Sequence, residues 1–137
     1  MRFLHVSDTH IGFSAYHKVT PAGLNQREQD FFDAFARAVD LALGERVDAV
    51  LHSGDLFDSV RPSNRAVAFA MEQVKRLGEA GIPFVVIAGN HETPKLRETG
   101  SVFRFLEFLP NTFPVYRGQY ERVRIGDTAF HLSLIHI

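Results

Sequence analysis

The stretch Pro83-Phe84-Val85-Val86-Ile87-Ala88-Gly89-Asn90-His91-Glu92 decides the fold. Its first six residues form a short, uncharged, nearly continuous apolar run rich in β-branched side chains. Such a run reads as an interior strand of a parallel sheet, buried on both faces. Gly89-Asn90-His91 then breaks the strand with small and polar residues. Two upstream segments repeat the pattern. Arg2 to Ser7 carries Phe3, Leu4 and Val6 into Asp8-Thr9-His10, and Asp48-Ala49-Val50-Leu51-His52 runs into Ser53-Gly54-Asp55.

Helices separate these strands. From Gln26 onward Phe31, Phe32, Phe35, Val39, Ala42 and Leu43 recur at steps of three and four residues among charged positions, which predicts an amphipathic helix closed by Gly44. Ser63 is the expected cap of a second helix, with Val67, Ala70, Met71, Val74 and Leu77 on its inner face and Gly81 as its stop. A shorter helix is expected to place Val102, Phe105, Leu106 and Leu109 together. Strands and helices alternating at this spacing predict an α/β chain of consecutive β-α units, forming one mainly parallel sheet with flanking helices. After Pro110 shorter strands follow at Phe113 to Tyr116 and Arg122 to Ile125, with Gly126-Asp127 as a hairpin turn.

Composition narrows the function. The 137 residues are 45% hydrophobic and 23% charged, an ordinary water-soluble globular balance. Fifteen Lys and Arg against sixteen Asp and Glu leave a formal charge of -1, so an anionic partner must be held by a local patch or by metal ions. The absence of cysteine removes disulfides, thiolate metal sites and thiol nucleophiles. No apolar run approaches the roughly 20 residues of a membrane span, and no leader-like segment opens the chain. A cytoplasmic protein without membrane association is expected.

Chemistry concentrates where three strands end. Asp8-Thr9-His10, Gly54-Asp55-Leu56-Phe57-Asp58 and Gly89-Asn90-His91-Glu92 fall on the carboxyl edge of the predicted sheet, where α/β proteins bind ligands. Three neighbouring strands span roughly 10 Å, which suits ligands around a metal pair roughly 3.5–4 Å apart. Mixed carboxylate, amide and imidazole donors favour manganese, iron or zinc over magnesium. Asp55, central in this order, is placed to bridge two cations, and His91 beside Asn90 is placed to protonate a leaving oxygen.

These residues resemble the calcineurin-like metallophosphoesterase superfamily, whose pattern is Asp-x-His, then Gly-Asp, then Gly-Asn-His followed by Asp or Glu. More narrowly, Ser7 to Phe13, the helix start at Arg27-Glu28 to Asp30-Phe31, Gly54 to Asp58 and Arg61-Pro62-Ser63 are similar to the SbcD-type, meiotic-recombination-eleven nucleases of double-strand-break repair. The resemblance implies the N-terminal part of a four-layer sandwich over residues 1–131. It implies Asp8 and His10 on a first metal, Asp55 bridging, Asn90 on a second metal and His91 as the catalytic histidine. It further implies two divalent ions, Mn2+ foremost, DNA as substrate, an SMC-like coiled-coil ATPase as partner and room for a homodimer. The family's further ligands, a lone histidine and a Gly-His-x-His pair, have no match among these residues. Leu132 to Ile137 reads as the in-frame translation of a transposon-end sequencing adaptor, so a non-native tail is expected at 132–137 and the fragment is expected to be inactive alone.

Other readings weigh against these. Asp, Asn, Gly and His after a strand commonly do no more than make turns. His5 and His52, three residues before their motif aspartates, are expected in the core or behind the ligands, bonded to backbone. Asp58 reads equally as a carboxylate behind the ligands or as a cap for the next segment. Arg61 and Arg65 read as solvated surface, the Phe31, Phe32 and Phe35 face as core, and Phe13 as the aromatic most suited to contact a DNA strand. A phosphatase or nucleotide phosphodiesterase of the same superfamily would differ by cleaving small phosphodiesters and not duplex ends. A non-catalytic α/β binding module lacks support, since the first loop has no phosphate-cradling glycine pattern.

Overall fold

In a computed structural model of the chain, residues 1–13, 25–89, 93 and 100–133 are described. The predicted apolar runs become β1 (Phe3–Val6), β2 (Ala49–His52) and β3 (Phe84–Ile87), joined by β4 (Thr112–Val115) in one sheet of order β1-β2-β3-β4. All three pairings are parallel. The α/β expectation holds. The run after Pro110 also contributes a fourth parallel strand before the chain changes style.

Register explains which side chains go inside. Leu4, Val50 and Phe84 stand in one row and Val6, His52 and Val86 in the next. Side chains alternate along a strand, so these rows share one face of the sheet. That face meets α1 (Gln26–Glu45) and α2 (Asn64–Glu79), which bury Phe32, Phe35, Val39 and Ala42 from the first helix and Ala66, Ala70, Val74 and Leu77 from the second. Phe32 and Phe69 stack with centroids 4.3 Å apart, locking the two helices together. On the opposite face Val85 is buried, whereas Phe3 and Phe113 remain exposed.

Helix ends follow local chemistry with one correction. Asn25 caps α1 by accepting from the backbone N–H groups of Arg27 and Glu28, and Ser63 caps α2 as predicted. Gly44 does not close α1. The helix runs to Glu45, and Arg46 takes the left-handed C-cap conformation at φ 52°.

The short helix is the other correction. Val102–Phe108 forms a 3-10 helix, with three residues per turn. Phe103 and Leu106 therefore face the core, while Phe105 turns outward and is 56% exposed. β5 (Glu121–Ile125) and β6 (Thr128–Leu132) form the expected antiparallel hairpin around Gly126-Asp127. Phe130 of this hairpin meets Phe3 edge to face, 6.1 Å between centroids. Leu132, the first residue of the expected foreign tail, pairs with Glu121, and residues 134–137 lie outside the described residues.

Candidate metal centre

Beyond the last residues of β1 and β2 the two chains stay side by side. Asp8 N–H donates to Gly54 C=O at 2.9 Å, His10 N–H to Asp55 C=O at 3.0 Å and Ile11 N–H to Leu56 C=O at 2.8 Å. Asp58 N–H returns a bond to Ile11 C=O at 3.1 Å. Ile11 and Phe57, facing one another across this extension, are completely buried. Two loops some 45 residues apart in sequence are thereby held as one rigid unit.

That unit carries Asp8, His10 and Asp55, each offering one donor atom within 4.8 Å of the others. His10 Nε2 lies 3.8 Å from Asp8 Oδ1 and 3.8 Å from Asp55 Oδ2. This is beyond hydrogen-bond reach. It is within the span of two donors that each sit about 2.1 Å from a shared cation. The donor set, two carboxylates and an imidazole nitrogen, therefore fits a divalent ion.

Backbone geometry singles out the same residues. Among the described non-glycine residues, positive φ occurs at Asp8 (54°), His10 (43°), Asp55 (56°), Arg46 and Asn111. A left-handed conformation costs a non-glycine residue of order 1 kcal/mol, and such strain gathers at functional sites. Arg46 ends a helix. Asp8, His10 and Asp55 instead adopt it where the two loops bring their side chains together.

Glycine makes the approach of the third loop possible. Gly89 lies so near Asp55 that an added Cβ would overlap its carboxylate and stand 2.5 Å from its backbone nitrogen. Gly54, at φ 126°, faces Gly89 from the other side. The end of β3 is thus brought against Asp55 as the sequence predicts. Asn90 and His91, the expected second-metal ligand and catalytic histidine, lie outside the described residues, as do Glu92 and His136.

Behind Asp8, His10 and Asp55 sits His52, 1% exposed. Gly54 N–H donates to its Nδ1 at 3.3 Å, which leaves the proton on Nε2 to be donated to Thr9 Oγ1 at 2.9 Å. The Thr9 hydroxyl in turn donates a hydrogen bond to Leu56 C=O at 3.1 Å. Burial away from water lowers the His52 pKa from 6.5 to about 4, against a smaller upward pull from Asp8. His52 is a neutral clamp between the first two motif loops, in keeping with the reading of a core histidine. His5 differs: it is exposed and bonds the Ser53 hydroxyl at 3.0 Å.

Asp58 lies beside His10, its Oδ1 3.0 Å from Nδ1. Sequence reasoning left it balanced against a capping role that Ser63 fills. Phe13 stacks on Phe31 of α1 at 4.9 Å, so that ring is engaged in packing. Arg65 pairs with buried Glu28 at 3.8 Å.

The family model for calcineurin-like phosphoesterases matches residues 1–135. The chain belongs to the calcineurin-like phosphoesterase family. Among curated relatives of this phosphoesterase, the DNA double-strand break repair protein Mre11 of Sulfurisphaera tokodaii is 49% identical over 94 residues, 69% of this chain and 23% of the relative. Mre11 of Sulfolobus acidocaldarius is 45% identical over 107 residues, 78% of this chain and 26% of the relative. The chain spans about a quarter of the length of these relatives. The crystal structure of Pseudomonas putida nuclease MPE matches 86% of this phosphoesterase chain and 49% of its own, with a TM-score of 0.53 at 20% identity, which supports the shared fold. No helix among the described residues is long and apolar enough to cross a membrane.

Proposed function

We propose that this chain carries part of the active site of a metal-dependent phosphodiesterase that cleaves DNA ends in double-strand-break repair. The observation that carries the reading is the convergence of Asp8, His10 and Asp55 from two loops onto one cation-sized cluster. The similarity to relatives named for double-strand break repair supports DNA as the substrate.

Two divalent cations, for which the mixed oxygen and imidazole donors suit manganese, iron or zinc and the family resemblance puts Mn2+ foremost, would supply Lewis acidity toward phosphoryl oxygens and an activated water near neutral pH. Each residue has a separable task. Asp8 and His10 would hold the first ion and Asp55 would serve both, while Asn90 would offer its amide oxygen to the second and His91 would hold the proton for the leaving oxygen. His52 and Thr9 keep the first two loops in register. An SMC-like coiled-coil ATPase and a second copy of the chain belong to the same reading as partners. So does the division of the chain into a native part at 1–131 and a foreign tail at 132–137.

The test is cleavage of end-labelled duplex DNA by the full-length protein. Mn2+-dependent cleavage that chelation abolishes and Asp55→Asn lowers at least about 100-fold is expected, about 2.7 kcal/mol of transition-state stabilisation. Hydrolysis of a small phosphodiester with duplex ends untouched would favour a nucleotide phosphodiesterase. Cleavage unaffected by both chelation and Asp55→Asn would overturn the assignment.

A further inference from the structure

We propose that Asp58 is a positioning residue for His10: its carboxylate fixes the imidazole in the Nδ1–H tautomer, so that Nε2 turns a lone pair toward Asp8 and Asp55. The inference rests on the reading of His10 as a metal ligand. A neutral imidazole has one donor and one acceptor nitrogen, and a carboxylate can only accept. With Asp58 Oδ1 at 3.0 Å from Nδ1, the proton belongs on that nitrogen. The remaining nitrogen is the one that lies 3.8 Å from each of the other two donors. Were the proton on Nε2, a hydrogen would face the cation and no lone pair would be available to it.

The backbone makes this pairing dependable. Asp58 N–H bonds Ile11 C=O, one residue past His10, and the bridge between Phe57 and Ile11 beside it is fully buried. Phe13 N–H bonds His10 C=O at 3.0 Å, holding the left-handed turn at His10 from the other side. Asp58 is also free of the alternative employment that its position suggests, because α2 takes its cap from Ser63. Outer partners of metal-bound histidines commonly set ligand affinity by 10–100-fold.

The test uses the full-length protein, metal-free at the start and titrated with Mn2+ alone by calorimetry. Asp58→Ala should weaken binding at the His10 site about 10–100-fold, with Asp58→Asn, which keeps an acceptor oxygen of the same size, falling between it and wild type. In a His10→Ala background Asp58→Ala should add nothing further. Nitrogen-15 spectra of histidine-labelled, metal-free protein should show His10 protonated at Nδ1 in the wild type, with that preference lost in Asp58→Ala. If His10→Ala abolishes binding at its site while Asp58→Ala leaves affinity within about twofold and the tautomer unchanged, the inference fails and the ligand reading stands. If His10→Ala itself leaves Mn2+ binding unchanged, both fail.

Discussion

His52 joins fold and site within a single side chain. It fills the sheet row between Val6 and Val86, and both ring nitrogens tie motif loops together. Its pKa, lowered by burial to about 4, means that the folded state resists a proton that the unfolded chain accepts below about 6.5. The unfolded state binds more protons between these values, so stability falls as pH drops from about 6.5 toward 4, by at most on the order of 3 kcal/mol. Above that window the contribution is complete. Denaturant midpoints of metal-free protein from pH 7.5 to 4.5 should show this slope, and His52→Gln should flatten it, with lower stability than wild type at pH 7.5 and a narrowing gap toward pH 4.5. An equal slope in both proteins would remove His52 from the account. The grouping of Asp8, His10 and Asp55 was legible in the sequence because their types and order are chemically restrictive. It left Asp58 undecided because a carboxylate after a turn serves a histidine or a helix end equally well, and only the backbone pairing of Phe57 with Ile11 selects between them.

At the scale of elements, period reading succeeded where helices are long and failed where one is short. Twenty residues of α1 average out local exceptions, so its buried face emerges despite the misplaced end at Gly44. The seven residues of Val102–Phe108 are too few to distinguish 3.6 from 3.0 residues per turn, so the α-helical pattern turns Phe105 inward where the structure exposes it. The two geometries agree on Leu106 and differ at Phe105. In the 3-10 helix Leu106 is completely buried, so Leu106→Ala should cost about 2–5 kcal/mol. Phe105→Ser should stay within about 0.5 kcal/mol of wild type. Chemical denaturation of both variants measures the difference, and a larger loss at Phe105 than at Leu106 would restore the α-helical pattern. The fourth parallel strand was also unreadable as such, because pairing of β4 with β3 depends on partners 28 residues apart and leaves little local signal.

For the whole molecule, the nearly neutral charge bears on how phosphate is held. The described arginines include several already committed: Arg2 to Glu45, Arg76 to Asp40 and Arg117 to Glu107. On the proposed reading, attraction for phosphate would come from cations held by Asp8, His10 and Asp55. The sheet supplies the precision. Three parallel strands end together, backbone bonds carry β1 and β2 onward as a pair, and Gly89 lacks the side chain that would keep the third loop from Asp55. That sequence-distant residues share one edge follows from β-α alternation and was legible in advance; the left-handed turns that aim them were not, since positive φ at aspartate and histidine has no compositional mark. The account stands most directly on where a metal ion sits. Anomalous diffraction at the manganese edge, from crystals of full-length protein grown with Mn2+, should place an ion in contact with Asp8, His10 Nε2 and Asp55. An ion bound elsewhere, with these three side chains left uncoordinated, would contradict it.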